Sequence, residues 1–251
     1  MEFCAIVANS DNYMYLFYTD EIAIVFDPCD YLAVYKALSF KLENGKVYQR
    51  NFFNKLECNT KKRTLIKCFI THHHYDHSGG NEPLKKLSPE TVFINHNNSI
   101  DNLSKIIIEY NNQHLLTVLA IKTPCHTLDS ISYYLTNLNG EKFLVTGDFI
   151  FKVGCGKFFE GKAVDFISSV NLLKKHVDDD TIMLYGHEYT KSNFEFAKTQ
   201  CNYNETDTKL ILEKTFLTFK DELRLNPFLL SKTLSDPVIL QNLRDQKNNF
   251  K

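Results

Sequence analysis

Ile70-Thr71-His72-His73-His74-Tyr75-Asp76-His77-Ser78-Gly79-Gly80-Asn81 is the stretch from which the rest of the chain is read. It follows Leu65–Ile70, an apolar segment of the kind that forms a buried strand. While the backbone stays near-extended, side chains two apart point the same way. His72 and His74 can therefore grip one ion. Asp76 and His77 come after the turn begins and can face a second ion a few ångströms away. Ser78-Gly79-Gly80-Asn81 then leads into a helix expected over Glu82–Leu87. A single histidine beside a strand is usually a hydrogen-bonded surface or core residue. Four ligand-type side chains within six positions at a strand end point to metal.

Working outward, further strands end on the same kind of residue. Leu115–Lys122 runs into Thr123-Pro124-Cys125-His126, Lys142–Thr146 into Gly147-Asp148, and Thr181–Tyr185 into Gly186-His187. Ligands delivered from the same ends of several strands converge on one edge of a sheet, where loops build a pocket. Strands are also expected over Phe3–Ala8, Met14–Thr19, Glu21–Phe26, Thr91–Asn95 and Ser130–Leu135, and helices over Tyr31–Ser39 and Val164–His176. Asp101–Asn111 has no decisive pattern. The stretch Phe40–Arg63 is rich in Lys and Asn and reads as a surface excursion, with Asn44-Gly45 suited to a hairpin turn. Strands with intervening helices over the first 190 residues indicate an α/β layered domain.

After Tyr189 strand signals stop. Phe194–Thr199, Glu205–Leu225 and Asp236–Phe250 have helical periodicity, so a helical domain is expected over residues 191–251, following a first domain over residues 1–190. Ile211, Leu212, Phe216, Phe219 and Leu223 form an apolar stripe expected to pack on the first domain. Asp236-Pro237 is a helix start, a capping residue before a first-turn proline. On that last helix Arg244 and Lys247 share a face; on pattern alone this is a solvated basic face.

Composition excludes some classes. The 251 residues, 43% apolar, suffice for a sizeable core, and 29 basic against 30 acidic residues argue against a general nucleic-acid or membrane-surface binder. Seven cysteines without a Cys-x-x-Cys pair read as reduced thiols. No signal peptide or membrane span is expected, and the cytoplasm is the default.

Taken together, these residues resemble glyoxalase II, the hydroxyacylglutathione hydrolases of the metallo-β-lactamase superfamily. The resemblance rests on Thr71–His77, Thr123-Pro-Cys-His-Thr127, Thr146-Gly-Asp148, Gly154-Cys-Gly-Lys-Phe158 and Gly186-His-Glu-Tyr-Thr190, with Asp11-Asn-Tyr-Met-Tyr-Leu16 and Asn226-Pro-Phe228 in support. It implies an α/β protein, a four-layer αββα sandwich with a C-terminal helical domain, acting as a metal-dependent thioesterase in methylglyoxal detoxification. His72, His74 and His126 would bind one divalent metal ion and Asp76, His77 and His187 another, with Asp148 bridging. The ion expected first is zinc, with iron or manganese compatible with the same ligands. The Asp76 and Asp148 carboxylates would offset part of the metal charge in the catalytic centre. The substrate implied is a small-molecule glutathione thioester, S-D-lactoylglutathione, whose glycine carboxylate would meet Lys157, Arg244 and Lys247, with Tyr189 as a hydroxyl donor. A monomer without nucleic-acid or membrane partners is expected. Cys125 and Cys155 read as packing residues.

Three positions depart from the family pattern. Asp129 replaces a glycine and is expected to have positive φ. Phe149 stands where threonine is usual, and Phe159 replaces a tyrosine that helps hold glutathione. A persulfide dioxygenase-like mononuclear iron enzyme is the nearest rival reading, opposed by His77 and the basic tail. A catalytically silent metal-stabilised interaction protein is the other.

Overall fold

The computed structural model describes residues 1–50, 56–95 and 100–250. Part of the Phe40–Arg63 excursion, residues 51–55, lies outside the described residues. Two sheets face each other. The first runs from β1 (Glu2–Ala8), β2 (Asn12–Tyr18) and β3 (Ile22–Phe26) through β4 (Lys46–Gln49), β5 (Thr64–Phe69) and β6 (Val92–Ile94), in the spatial order β4-β1-β2-β3-β5-β6. The second holds β7 (Ser104–Tyr110), β8 (Gln113–Lys122), β9 (Ile131–Asn137), β10 (Lys142–Gly147) and β13 (Ile182–Tyr185), in the order β13-β10-β9-β8-β7. A two-stranded ribbon, β11 (Ile150–Phe151) with β12 (Gly154–Cys155), follows β10.

The period-2 pattern of the strands explains the layering. On β1 and β2, Phe3, Ala5, Val7, Tyr13, Tyr15 and Phe17 point into the core between the sheets. Cys4, Ile6, Met14 and Leu16 point the other way, onto α1 (Tyr31–Ala37) and α3 (Asn81–Leu87) through Ala33, Val34, Ala37 and Leu84. The second sheet is covered by α4 (Ala163–His176), whose Ala163, Phe166, Val170 and Leu173 are spaced to face it. The result is the expected αββα arrangement, with the C-terminal helices α5 (Thr190–Gln200), α6 (Glu205–Glu213), α7 (Phe219–Leu225), α8 (Ser231–Leu234) and α9 (Pro237–Asn249) against one side.

Two local expectations are corrected and one undecided stretch is resolved. Asn44-Gly45 does turn the chain, with Gly45 at φ +73°, but β4 pairs in parallel with β1, so no hairpin forms there. Ser104–Tyr110 is a strand, antiparallel to β8; the run Ile106-Ile107-Ile108 interrupts the polar–apolar alternation that would mark it in the sequence. The helix expected over Glu205–Leu225 is two helices. Between them the Leu217 carbonyl accepts the Met183 amide at 2.9 Å, and Phe219 N donates to the Thr181 carbonyl at 2.8 Å, so residues 217–219 line the edge of β13. The stripe is broken accordingly. Ile211, Phe216 and Phe219 are buried, but Leu212 is 56% exposed.

Glu222, on α7, ties the helical segment to the sandwich. Its buried carboxylate accepts from Tyr185 Oη at 2.8 Å, Asn226 Nδ2 at 2.8 Å and the Val153 amide at 3.2 Å. Burial raises its carboxyl from about 4.5 to about 7, against the hydrogen bonds, which lower it. The folded value exceeds the unfolded one, so this contribution to stability is complete below about pH 4.5 and is lost as pH rises through about 7. Glu222→Gln is expected to flatten the fall in melting temperature between pH 5 and 8, a change on the order of 3 kcal/mol. Thermal unfolding of both proteins across that range checks it; parallel curves would refute it.

Candidate metal centre

The chain ends beyond β5, β8, β10 and β13 meet at one edge of the two sheets. After β5 the backbone bends at Thr71 and His73, which brings His72 and His74 together, then winds into the single turn α2 (Tyr75–Ser78), which carries Asp76 and His77. His126 follows β8, Asp148 follows β10 and His187 follows β13. Small residues let these ends close in. Gly147 has φ +51°, and a side chain there would collide with Thr71. At Gly156 a Cβ would strike the Asp148 carbonyl and the His126 ring.

The seven expected ligands come together as two groups. His74 Nδ1 lies 3.1 Å from His72 Nε2 and 3.0 Å from His126 Nε2. His187 Nε2 lies 3.3 Å from His77 Nε2 and 3.3 Å from Asp76 Oδ2. Asp148 stands between the groups. Its Oδ1 is 3.1 Å from His77 Nε2 and 3.4 Å from His187 Nε2, and its Oδ2 is 3.5 Å from His126 Nε2. The outer ring nitrogens have partners of their own. His72 Nδ1 meets Thr71 Oγ1 at 3.0 Å, His126 Nδ1 the Lys157 carbonyl at 2.9 Å, His77 Nδ1 Asp27 Oδ2 at 2.9 Å, and His187 Nδ1 Asp11 Oδ1 at 2.7 Å.

These contacts test whether the residues fit divalent cations. If His72 and His126 donate Nδ1–H outward, their Nε2 lone pairs both aim at His74 Nδ1, three acceptors turned on one point. Asp148 Oδ1 is buried without a hydrogen-bond partner. A cation between the nitrogens, and another beside Oδ1, satisfies both conditions; the donor set of imidazoles and carboxylates fits divalent metal ions. Charge divides the histidines in the same way. Burial pushes His72 and His126 below the usual imidazole range. For His77 and His187 burial acts downward too, but Asp148 and Asp27 around His77, and Asp148, Asp76 and Asp11 around His187, raise them, the latter to about 10. Hydrogen bonding to His187 holds Asp76 below the carboxylate range. Asp148 is held low despite its burial by His77 and His187.

Beside this centre opens a cavity of about 330 Å³ lined by Lys157, Tyr189, Arg244 and Lys247, along with Phe250 from the chain end. The Tyr189 ring stacks on His187 at 4.7 Å between centroids. Arg244 is buried, donating Nη1–H to the Cys155 carbonyl at 2.7 Å over the face of Phe228. Lys247 Nζ donates to the Ser192 carbonyl at 2.7 Å, and burial with the Arg244 charge pulls its ammonium down to about 8. Cys125 and Cys155 are buried thiols, Cys155 raised by burial to about 11.

Comparison with known proteins gives this arrangement a family. Residues 61–100 match the model described as the metallo-beta-lactamase superfamily. A probable hydroxyacylglutathione hydrolase of Encephalitozoon cuniculi is 33% identical over 252 residues, covering 98% of this chain and 96% of its own. A hydroxyacylglutathione hydrolase of Pelagibacter ubique is 34% identical over 267 residues and covers 100% of both chains. The chain belongs to the hydroxyacylglutathione hydrolase family. The crystal structure of ETHE1 from Myxococcus xanthus shares the fold, with TM-score 0.66 and 21% identity over 99% of this chain and 92% of that one.

The three departures from the hydroxyacylglutathione hydrolase pattern have separate outcomes. Asp129 is absent from the non-glycine residues with positive φ, so the expected left-handed strain does not exist. Its carboxylate instead meets His73 Nδ1 at 2.9 Å, and Glu160 takes the Leu128 amide at 2.6 Å, tying the loops of His72–His77, His126 and Lys157 together. Asp129→Gly is therefore expected to destabilise by about 0.2–1 kcal/mol, the scale of a partly exposed ion pair, measured by denaturant unfolding. Phe149 is buried against Phe166, with 4.7 Å between ring centroids, as part of the core. Phe159 is 62% exposed, its ring 5.1 Å from that of His126. Phe159→Tyr adds a hydroxyl worth about 1 kcal/mol if a bound substrate accepts from it. The expected steady-state result is a KM for a glutathione thioester about five-fold lower, with kcat held; unchanged KM would show that the ring stands clear of the substrate.

Sequence reading missed the second row of the site. Asp27 directly follows an expected strand and carries no motif of its own, yet β3 is parallel to β5, which places its carboxylate against Thr71 and His77. Asn12 Nδ2 donates to Asp76 Oδ2 at 3.2 Å and to its carbonyl at 2.9 Å. The available signal was polar residues at strand ends on the ligand edge.

Proposed function

We propose that this protein hydrolyses S-2-hydroxyacylglutathiones, S-D-lactoylglutathione among them, to a 2-hydroxy acid and glutathione. The observation that carries the reading is the position of Asp148 between two ligand groups, beside a cavity with three basic side chains. His72, His74 and His126 would hold one divalent ion and Asp76, His77 and His187 the other, zinc being the proposed metal. When bound, such ions lower the pKa of water toward about 7 and polarise a carbonyl. Asp148 would keep the two ligand groups in register, and the Asp76 carboxylate, its Oδ2 beside His187 Nε2, would offset part of the metal charge. Lys157, Arg244 and Lys247 present positive charge to the glycine carboxylate, and Tyr189 offers a hydroxyl on the same wall. The glutathione thiol, with a pKa near 8.5 in a free cysteine, leaves without a protein acid. No serine or cysteine nucleophile is required.

Residues 1–190 are proposed as the catalytic domain and residues 191–251 as the segment that supplies glutathione contacts. A monomer is proposed, since one chain carries every residue named. A cytoplasmic location is proposed from the seven free cysteines. Among the described residues no helix is long and apolar enough to cross a membrane. The test is metal analysis and S-D-lactoylglutathione hydrolysis on one preparation. About two equivalents of metal with steady turnover are expected; one iron with oxygen uptake on a persulfide would overturn the reading.

A further inference from the structure

The two ligand groups are backed by different charges. Behind His72 and His126 stand neutral acceptors, the Thr71 hydroxyl and the Lys157 carbonyl. Behind His77 and His187 stand carboxylates, Asp27 and Asp11. The group with neutral backing consists of three imidazoles, whereas the group backed by charge already includes Asp76. A carboxylate on the outer nitrogen fixes the tautomer, orients the ring and makes the inner nitrogen a stronger donor; a carbonyl or hydroxyl supplies orientation with less charge. We propose that Asp11 is a positioning residue that makes the Asp76–His77–His187 position the tighter-binding of the two metal positions. The inference rests on reading these residues as a two-metal centre.

Asp11 is built for that task. It lies in the turn before β2, where the Glu188 amide donates to the Asp11 carbonyl at 2.9 Å and Tyr13 N to the Gly186 carbonyl at 2.9 Å. Residues 11–13 thus run alongside 186–188, which holds the backbone that carries the Asp11 carboxylate beside His187. One oxygen holds His187 at 2.7 Å and the other accepts from Ser10 Oγ at 2.8 Å. Next in the chain, Asn12 fixes Asp76. Two consecutive residues therefore locate two of the three ligands of one position. Asp27 also backs this position, but it holds the Thr71 amide and hydroxyl at 2.7 and 2.6 Å as well, which joins the two groups. Asp11, about a third exposed, touches His187 alone among the ligands, so its charge can be removed cleanly.

The experiment is calorimetric titration of the metal-depleted full-length protein with zinc. Wild type is expected to bind in two steps of unequal affinity. Asp11→Asn keeps an oxygen for His187 Nδ1–H but removes the charge; it is expected to weaken the tighter step about 10- to 100-fold and to leave the weaker step in place. Asp11→Glu should regain part of the loss, which a purely steric role would not produce. Independently of whether Asp11→Asn folds, His187→Ala should abolish the tighter step and His126→Ala the weaker one. Equal weakening of both steps by Asp11→Asn, no weakening at all, or loss of the tighter step in His126→Ala would each overturn the proposal. No thioester enters this measurement. Two zinc steps without thioester turnover would count against the proposed activity and leave this inference standing.

Discussion

Asp148→Asn is expected to lose metal and rate together, the rate by about a thousand-fold or more. The wild-type side chain presents one oxygen to His77 and His187 and the other toward His126, and it is almost wholly buried. Asparagine keeps the shape but offers a single weak acceptor and an NH2 group. That NH2 would either face a cation, which is unfavourable, or hydrogen-bond to ring nitrogens and occupy the lone pairs that a metal needs. The anionic bridge also offsets charge where two cations approach. Losing several kcal/mol of such stabilisation corresponds to at least about three decades in rate, at roughly 1.4 kcal/mol per decade. Metal content after dialysis, read beside kcat, checks it. Two retained equivalents with a normal rate would remove Asp148 from the bridging role.

For Arg244→Ala the expected change is in KM, about ten- to a hundred-fold upward for a glutathione thioester, with kcat nearly unchanged. The guanidinium lines the cavity beside Lys157, Tyr189 and Lys247, away from the ligand groups. A carboxylate bound there lies several bonds from the scissile thioester, so its contacts are equal in the ground and transition states. Removing uniform binding raises KM alone. A charge-assisted hydrogen bond is worth roughly 1.5–3 kcal/mol, which gives the range. Arg244 also holds the Cys155 carbonyl, so part of the loss will come from the loop that carries Lys157. Lys247→Ala helps to separate the two contributions, because its ammonium reaches the Ser192 carbonyl and the Phe196 and Phe250 rings rather than the loop that carries Lys157; it should raise KM with stability changed by no more than about 1 kcal/mol. A thioester without glutathione should be hydrolysed equally well by all three proteins. An unaltered KM in Arg244→Ala would return the residue to a structural role.

Much of this was legible in the chain itself. His72, His74, Asp76 and His77 lie within six residues, and the alternation of an extended backbone followed by one helical turn is a local rule that needs no partner strand. His126, Asp148 and His187 each follow an apolar strand, so the sequence determined which side chains would gather at one sheet edge. What a local pattern cannot hold is who stands behind them. Asp27 touches His77 because β3 and β5 run parallel, and Asp11 touches His187 because a turn before β2 pairs with a loop after β13. The broken stripe at Leu212 has the same origin, an edge interaction between residues 217–219 and β13 that outweighs the propensity for one long helix. Arg244, which by pattern belongs to a solvated face, is buried against Phe228 and Cys155. Sequence spacing pointed to the cluster at His72–His77, and the family resemblance to the full set of candidate ligands. Contacts between residues far apart in the chain decided the charge around each ligand, because an imidazole's outer nitrogen takes whichever acceptor the fold carries to it.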